Sequence, residues 1–129
     1  MKNFKKILNS LILKTNETIL ISNINVEDFS YKIIINSDLL QKDLAIVDTH
    51  PLWLIELELL SKKKNNVLLI IKDIDLIDEK EQLRFLEIIK YRSVNGFKLP
   101  NNAHIILSCQ NLDNVSNTIK SHCLVIKGD

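Results

Sequence analysis

A three-layer α/β sandwich built on a mostly parallel sheet is the fold this sequence predicts, and three observations predict it. Val67-Leu68-Leu69-Ile70-Ile71 is an unbroken run of leucine and β-branched residues. A run without polar alternation belongs to a central strand of a parallel sheet, buried on both faces. Strand-like runs also alternate with segments of helical period along the chain, the rhythm that lays helices on the faces of such a sheet. Finally, 129 residues, 46% apolar and 26% charged, suit one soluble domain with one core.

In chain order, Phe4, Ile7, Leu8, Leu11 and Ile12 recur at helical spacing. They predict an amphipathic helix over residues 2–14 that docks this stripe on the sheet. Lys2, Lys5, Lys6 and Lys14 fall off the stripe and read as a solvated face. Residues 18–24 and 31–36 are β-rich, the second run centred on Ile33-Ile34-Ile35. What lies between them is too short for a crossover helix, because parallel strands are joined by about a dozen residues or more. An element usual in such folds is missing there.

Residues 37–44 read as a capped helical turn or loop leading to Ala45-Ile46-Val47. Pro51 suits the first position of a helix capped by Thr49 or His50. Leu52, Trp53, Leu54, Ile55, Leu57, Leu59 and Leu60 are apolar nearly all round, which predicts a largely buried helix. Trp53 is a core residue on this reading, and a candidate interface wherever missing neighbours leave its face bare. Lys62 to Asn66 is a polar connector.

Beyond the central strand, Asp78 and Glu81 have capping-box spacing, and Leu83, Phe85, Leu86, Ile88 and Ile89 give the helix its packed face. Asn95-Gly96 is read as the stop of that helix. Residues 97–102 form a loop or short hairpin arm, 104–109 a buried strand, 115–120 a short helix and 123–126 the last strand.

The formal net charge of +1 gives no argument for nucleic acid or an anionic membrane as partner. Cys109 and Cys123 lack metal-ligand spacing, and the N-terminus lacks a signal-peptide pattern, so a reducing cytoplasm is expected. No stretch reaches the roughly 20 apolar residues of a membrane span. His50, His104 and His122 are scattered and read as structural. Abundant Ile, Asn and Lys beside scarce Gly, Ala, Arg and Pro suggest an AT-rich coding genome.

Asp73 and Asp75 follow the central strand directly, where ligands of open α/β sheets sit. Spacing alone favours a structural use, as caps and loop solvation. A magnesium-dependent enzyme using Asp73 and Asp75, with Asp48 or Asp78, is a separate reading; Lys72 beside them would repel the cation.

Taken in order, these segments resemble the AAA+ ATPases, and within them the MoxR-like group, over about residues 32–126. Residues 37–44 are similar to the family's "PDLLPSDL", and residues 67–75 to the Walker B strand and its "LLLDEID" tail. Phe97-Lys98-Leu99-Pro100 is similar to the family's "LP" arm. Ser108-Cys109-Gln110-Asn111 is similar to its "ATQN", which implies Asn111 as the sensor 1 asparagine. The departures carry more. The family's phosphate loop needs glycines and a Lys-Ser or Lys-Thr pair, whereas this chain has two glycines, Gly96 and Gly128, and neither precedes such a pair. Lys72 stands where the resemblance implies a magnesium-binding aspartate, and Asp73 where it implies the catalytic glutamate. His122-Cys123 stands in place of an Arg-Phe pair, and no lid domain follows Ile126.

Phosphoryl transfer depends on positioned charge, and these parts supply it. The resemblance therefore implies a single truncated AAA+/P-loop-NTPase-like core over 1–129 that does not hydrolyse ATP and needs no cofactor. Weak binding of ATP and magnesium stays open. Its partners would be proteins, an intact AAA+ ATPase or a von Willebrand A-type protein, with homo-oligomers a further option. The competing expectations are an ATPase-dead subunit of a replication or clamp-loader-like assembly, and a weak nucleotide-binding protein.

Overall fold

The computed structural model describes residues 2–38 and 50–128, with side chains from Lys6 onward. The expectations for residues 39–49, including Asp48 and Thr49, and for the Phe4 side chain lie outside them. Five strands form one parallel sheet: β1 (Thr18–Ser22), β2 (Lys32–Asn36), β3 (Val67–Lys72), β6 (Ala103–Cys109) and β7 (Cys123–Lys127). Their order is β2-β3-β6-β1-β7. The middle position belongs to β6. The Val67 run is an inner strand one place from the edge, paired on both sides.

The order dictates where everything else goes. The β1 to β2 connection crosses two strands in one direction, and the later connections all run back the other way. Right-handed crossovers then require the first connection on one face and the rest on the other. On the first face, Val26 and Phe29 of that connection pack with Ile19, Ile21, Leu68, Ile70 and Ile106. On the second, Leu20, Leu69, Ile71, Ile105 and Leu107 meet three helical segments. These are α2 (Leu52–Lys63), the pair α3 (Glu79–Gln82) and α4 (Leu86–Tyr91), and α5 (Asn117–Ser121).

The short first connection leaves its face undercovered. It must climb from the carboxyl end of β1 to the amino end of β2, roughly 22 Å on strand spacings of ~4.8 Å and a rise of ~3.3 Å per residue. Residues 23–31 reach that far with a single 3₁₀ turn, Val26–Asp28, and nothing longer. The N-terminal helix α1 (Lys2–Lys14) completes the layer through Leu8 and Ile12, both almost fully buried. Ile7, placed on the docking stripe by its spacing, is instead 67% exposed.

Other local outcomes differ from the sequence reading for identifiable reasons. Pro51 is the N-cap of α2, one residue before the helix, and its carbonyl accepts from the N–H groups of Leu54 and Ile55. That helix is not largely buried: Trp53, Leu54 and Leu57 face the core, while Leu52, Ile55 and Leu59 point away from it. Trp53 sits in the core at 8% exposure, and its indole N–H has no hydrogen-bond partner among the described residues.

Asn95-Gly96 does not end a helix. Arg92 does so in the left-handed conformation (φ 55°), donating its N–H to the Ile88 carbonyl. Asn95 (φ 50°) and Gly96 (φ 83°) are instead the two-residue turn between β4 (Ser93–Val94) and β5 (Phe97–Lys98). Positive φ at both positions is what such a hairpin turn demands. The Glu87 carboxylate accepts from the N–H of Asn95 (2.9 Å) and Gly96 (3.1 Å) and from the Ser93 hydroxyl (3.1 Å). Burial alone would raise its pKa, but these three donors win and hold it below the usual value.

Candidate functional site

The strands carry Lys72, Asp73, Asp75 and Asn111 to the carboxyl end of the sheet, yet the two carboxylates do not converge. β3 ends at Lys72, and Asp73 takes the left-handed conformation (φ 60°). This kink is held from both sides. The Asp73 N–H donates to Ser108 Oγ (3.1 Å), and its carbonyl accepts from Ser37 Oγ (2.7 Å). Neighbouring strands thus pin the backbone and leave the Asp73 carboxylate without a hydrogen bond or ion pair among the described residues. It faces a cleft of about 380 Å³, shared with Asn36, Ser37, Asp38 and Lys72.

Asp75 turns elsewhere. It is 7% exposed, and its two oxygens accept from the backbone N–H groups of Gln110 (3.1 Å) and Asn111 (2.8 Å). A buried carboxylate that takes two N–H donors fixes the loop after β6. Both of its oxygens are spent. Asn111 is exposed, and its side-chain oxygen accepts from the Asp113 N–H (3.0 Å) to cap the 3₁₀ turn Leu112–Asn114. Asp78 caps α3 by accepting from Glu81 N–H (2.9 Å), whereas Glu81 pairs with Arg84 (3.0 Å) and does not answer as a full capping box would. Among the described residues, no group of three or more His, Cys, Asp or Glu could hold a metal ion.

The crevice between β1 and β6 is the switch point of this sheet, since the connections leaving these neighbours run to opposite faces. It is closed by backbone. Asn23 N–H donates across it to the Cys109 carbonyl (3.0 Å), while on the other side of β1 Gly128 N–H, just past β7, donates to the Ser22 carbonyl (3.0 Å). A Cβ added at Gly128 would lie 2.0 Å from the Ser22 oxygen, so the pairing of β7 with β1 can continue past Lys127 only with glycine there.

Several residues that build this end are silent in the sequence pattern. Gln82, 1% exposed, donates to the carbonyls of Ile77 (3.1 Å) and Asn114 (2.8 Å) and accepts from Ser116 N–H (2.7 Å). It ties the loop after β3 to the loop after β6. Arg84 donates to the Ser37 carbonyl (3.1 Å). Neither residue stands out in the sequence pattern by period or spacing.

The histidines are dispersed. His50 stacks on Phe97 (4.1 Å) and lies 3.4 Å from Glu58; His122 caps α5 through its N–H. His104 Nε2 meets Asn66 Oδ1 at 2.9 Å, and burial, with Arg92 nearby, lowers its pKa although the Thr15 backbone opposes this. Burial pushes the Cys109 thiol up to about 11, aided by Asp75, and Cys123 to about 12. Neither is a reactive thiolate. No described helix is long and apolar enough to cross a membrane.

No protein-family profile and no curated protein matches the chain. Among solved structures it is similar to a DNA polymerase III gamma subunit-related protein from Thermotoga maritima, with a TM-score of 0.56 and 14% identity. The alignment covers 96% of this chain and 45% of the other, so this chain spans less than half that protein's length. At such identity the likeness speaks for the fold and leaves the MoxR-like grouping unsupported. The fold is a three-layer α/β sandwich with the parallel sheet of a P-loop-NTPase/AAA+-like core.

Proposed function

We propose that this domain is a non-catalytic AAA+-like core that acts by binding protein. The observation that carries the reading is the use made of its polar groups at the carboxyl end of the sheet. Asp75 and Asn111 serve backbone N–H groups, Gly128 seals the end of β1, and Lys72 puts a cation beside the remaining acid, Asp73. A site for phosphoryl transfer needs donors and metal ligands aimed at open space. Here Asp75 is turned to backbone N–H groups, and a lysine stands beside the one acid left facing open space, Asp73. The domain on this reading binds no nucleotide cofactor at that end, and its partner is an intact ATPase of related fold.

The likeness to the gamma subunit-related protein favours one version of this reading, a hydrolysis-dead subunit of a replication assembly. The MoxR-like version, with a von Willebrand A-type partner, rests on the sequence segments alone.

A titration with ATP and magnesium, followed by backbone amide NMR, tests the proposal. Magnesium-dependent shifts around Asp73 and Asn111, or hydrolysis abolished by Asp73→Asn, would overturn it. The expected result is neither.

A further inference from the structure

A cleft of about 510 Å³ lies at the opposite end of the sheet, beside the amino ends of β2 and β3. Its volume is in the range of small-molecule sites. One wall is Tyr31, a bulky residue held at φ 54° with its side 53% exposed. Left-handed backbone at an aromatic residue is uncommon and tends to occur at binding sites. The Lys64 ammonium stands 4.4 Å from the ring centroid and forms no ion pair among the described residues. Amide side chains of Asn9, Asn65 and Asn66 border the same space, with Asp28 as its acid.

The walls are set by bonds made outside the cleft. Tyr31 carbonyl accepts from Leu68 N–H (2.9 Å), Lys64 carbonyl from Asn102 Nδ2 (2.9 Å), and Asn66 is held by His104 (2.9 Å). The cleft is thus preformed rather than assembled by a ligand. A half-exposed aromatic ring, a cation over one of its faces with no partner carboxylate among the described residues, and several amides together match one chemistry. They suit a planar heteroaromatic group that stacks, offers donors and acceptors at its edge, and carries an anion.

We propose that this cleft binds the base and phosphate of a nucleotide, with the base on the face of Tyr31 that Lys64 leaves open, its edge at the asparagine amides and the phosphate at Lys64. The site lies at the far end of the sheet from Asp73, so it is independent of the reading given above for that end.

The test is an amide NMR titration of the full chain with AMP at low salt, with ribose 5-phosphate and inorganic phosphate as controls. Shifts at Asn9, Ser30, Asn65 and Asn66 are expected with AMP, and much weaker ones with either control. Tyr31→Asn keeps a residue that accepts positive φ but removes the ring, and should weaken AMP binding about tenfold or more; Tyr31→Phe should retain it. Lys64→Gln should flatten the salt dependence. An octamer of thymidylate assigns the source: tighter, strongly salt-dependent binding means single-stranded nucleic acid, and equal or weaker binding means free nucleotide. The proposal is overturned if no cleft amide moves, if Tyr31→Asn binds as tightly as the natural chain, or if the shifts gather around Asp73, which would count against the other reading instead.

Discussion

At the carboxyl end of the sheet, Asp75, Ser37, Ser108 and Gln82 are each buried and bonded to backbone of a neighbouring segment. At the amino end, Asn9, Asn65, Lys64 and a strained Tyr31 stand around open space instead. The two ends draw on similar residue types, so composition does not separate them. Burial does. A polar side chain under cover must be satisfied inside the protein, and once satisfied it stabilises structure and is unavailable to a ligand. A polar side chain at a cleft mouth is satisfied by water and can exchange that water for something else. Of the acids after β3 that would attract attention in a sequence, Asp75 is thus spent on structure, while Asp73 faces a cleft.

The comparison breaks most visibly at Asp75. Asp75→Ala leaves the N–H groups of Gln110 and Asn111 without this acceptor and should cost about 2–6 kcal/mol in urea-induced unfolding, at roughly 1–3 kcal/mol per group. A cost within error of zero would mean that the acid is not the clasp described. Gly128→Ala comes next. Its Cβ would collide with the Ser22 carbonyl, and the last strand must shift, at an expected cost of about 1–2 kcal/mol and with faster hydrogen exchange along β7.

At the other end the sign reverses. Tyr31→Asn should stabilise the fold by about 1 kcal/mol, because a bulky residue at positive φ costs roughly 1–2 kcal/mol that asparagine largely avoids. Stability gained together with loss of AMP binding is the pattern of strain kept for function. Stability lost would show that the ring is packing that the fold needs.

A smaller effect tests the hairpin. Glu87 titrates below its ordinary value in the fold, so the unfolded chain takes up the proton more readily. Its contribution is present above about pH 4.5 and is lost as pH falls through the folded value. Glu87→Gln should flatten the acid limb of stability measured by thermal unfolding between pH 6 and pH 3, estimated as a shallower slope. The smallest change is expected at Asp73→Asn, within about 0.5 kcal/mol, since that carboxylate bonds to nothing among the described residues.

Much of the architecture was legible because strands and helices obey local rules. The apolar runs at Val67 and Ile105 had to be inner strands, and the nine residues between Ser22 and Lys32 could not hold a crossover helix. What escaped the reading required neighbours. Asn95-Gly96 satisfies both a helix stop and a hairpin turn, and only Glu87 reaching across from α4 and the pairing of β4 with β5 decide between them. The seven apolar residues of α2 give no single stripe, so their spacing could not say which of them would face the sheet.

The sequence by itself determined that this chain folds as an α/β sandwich, that it lacks a glycine-rich loop after its first strand, and that a lysine sits beside the acids of its inner strand. These follow from residue type and order, which act over a few positions. The tertiary structure decided that Asp73 and Asp75 part company, that Trp53 is core while Leu52, Ile55 and Leu59 are not, and that Tyr31 and Lys64, thirty-three positions apart, wall one cleft. Those outcomes depend on which strands become neighbours. Strand order is set by crossover handedness and by which faces need covering, and both are properties of the assembled sheet rather than of any segment in it.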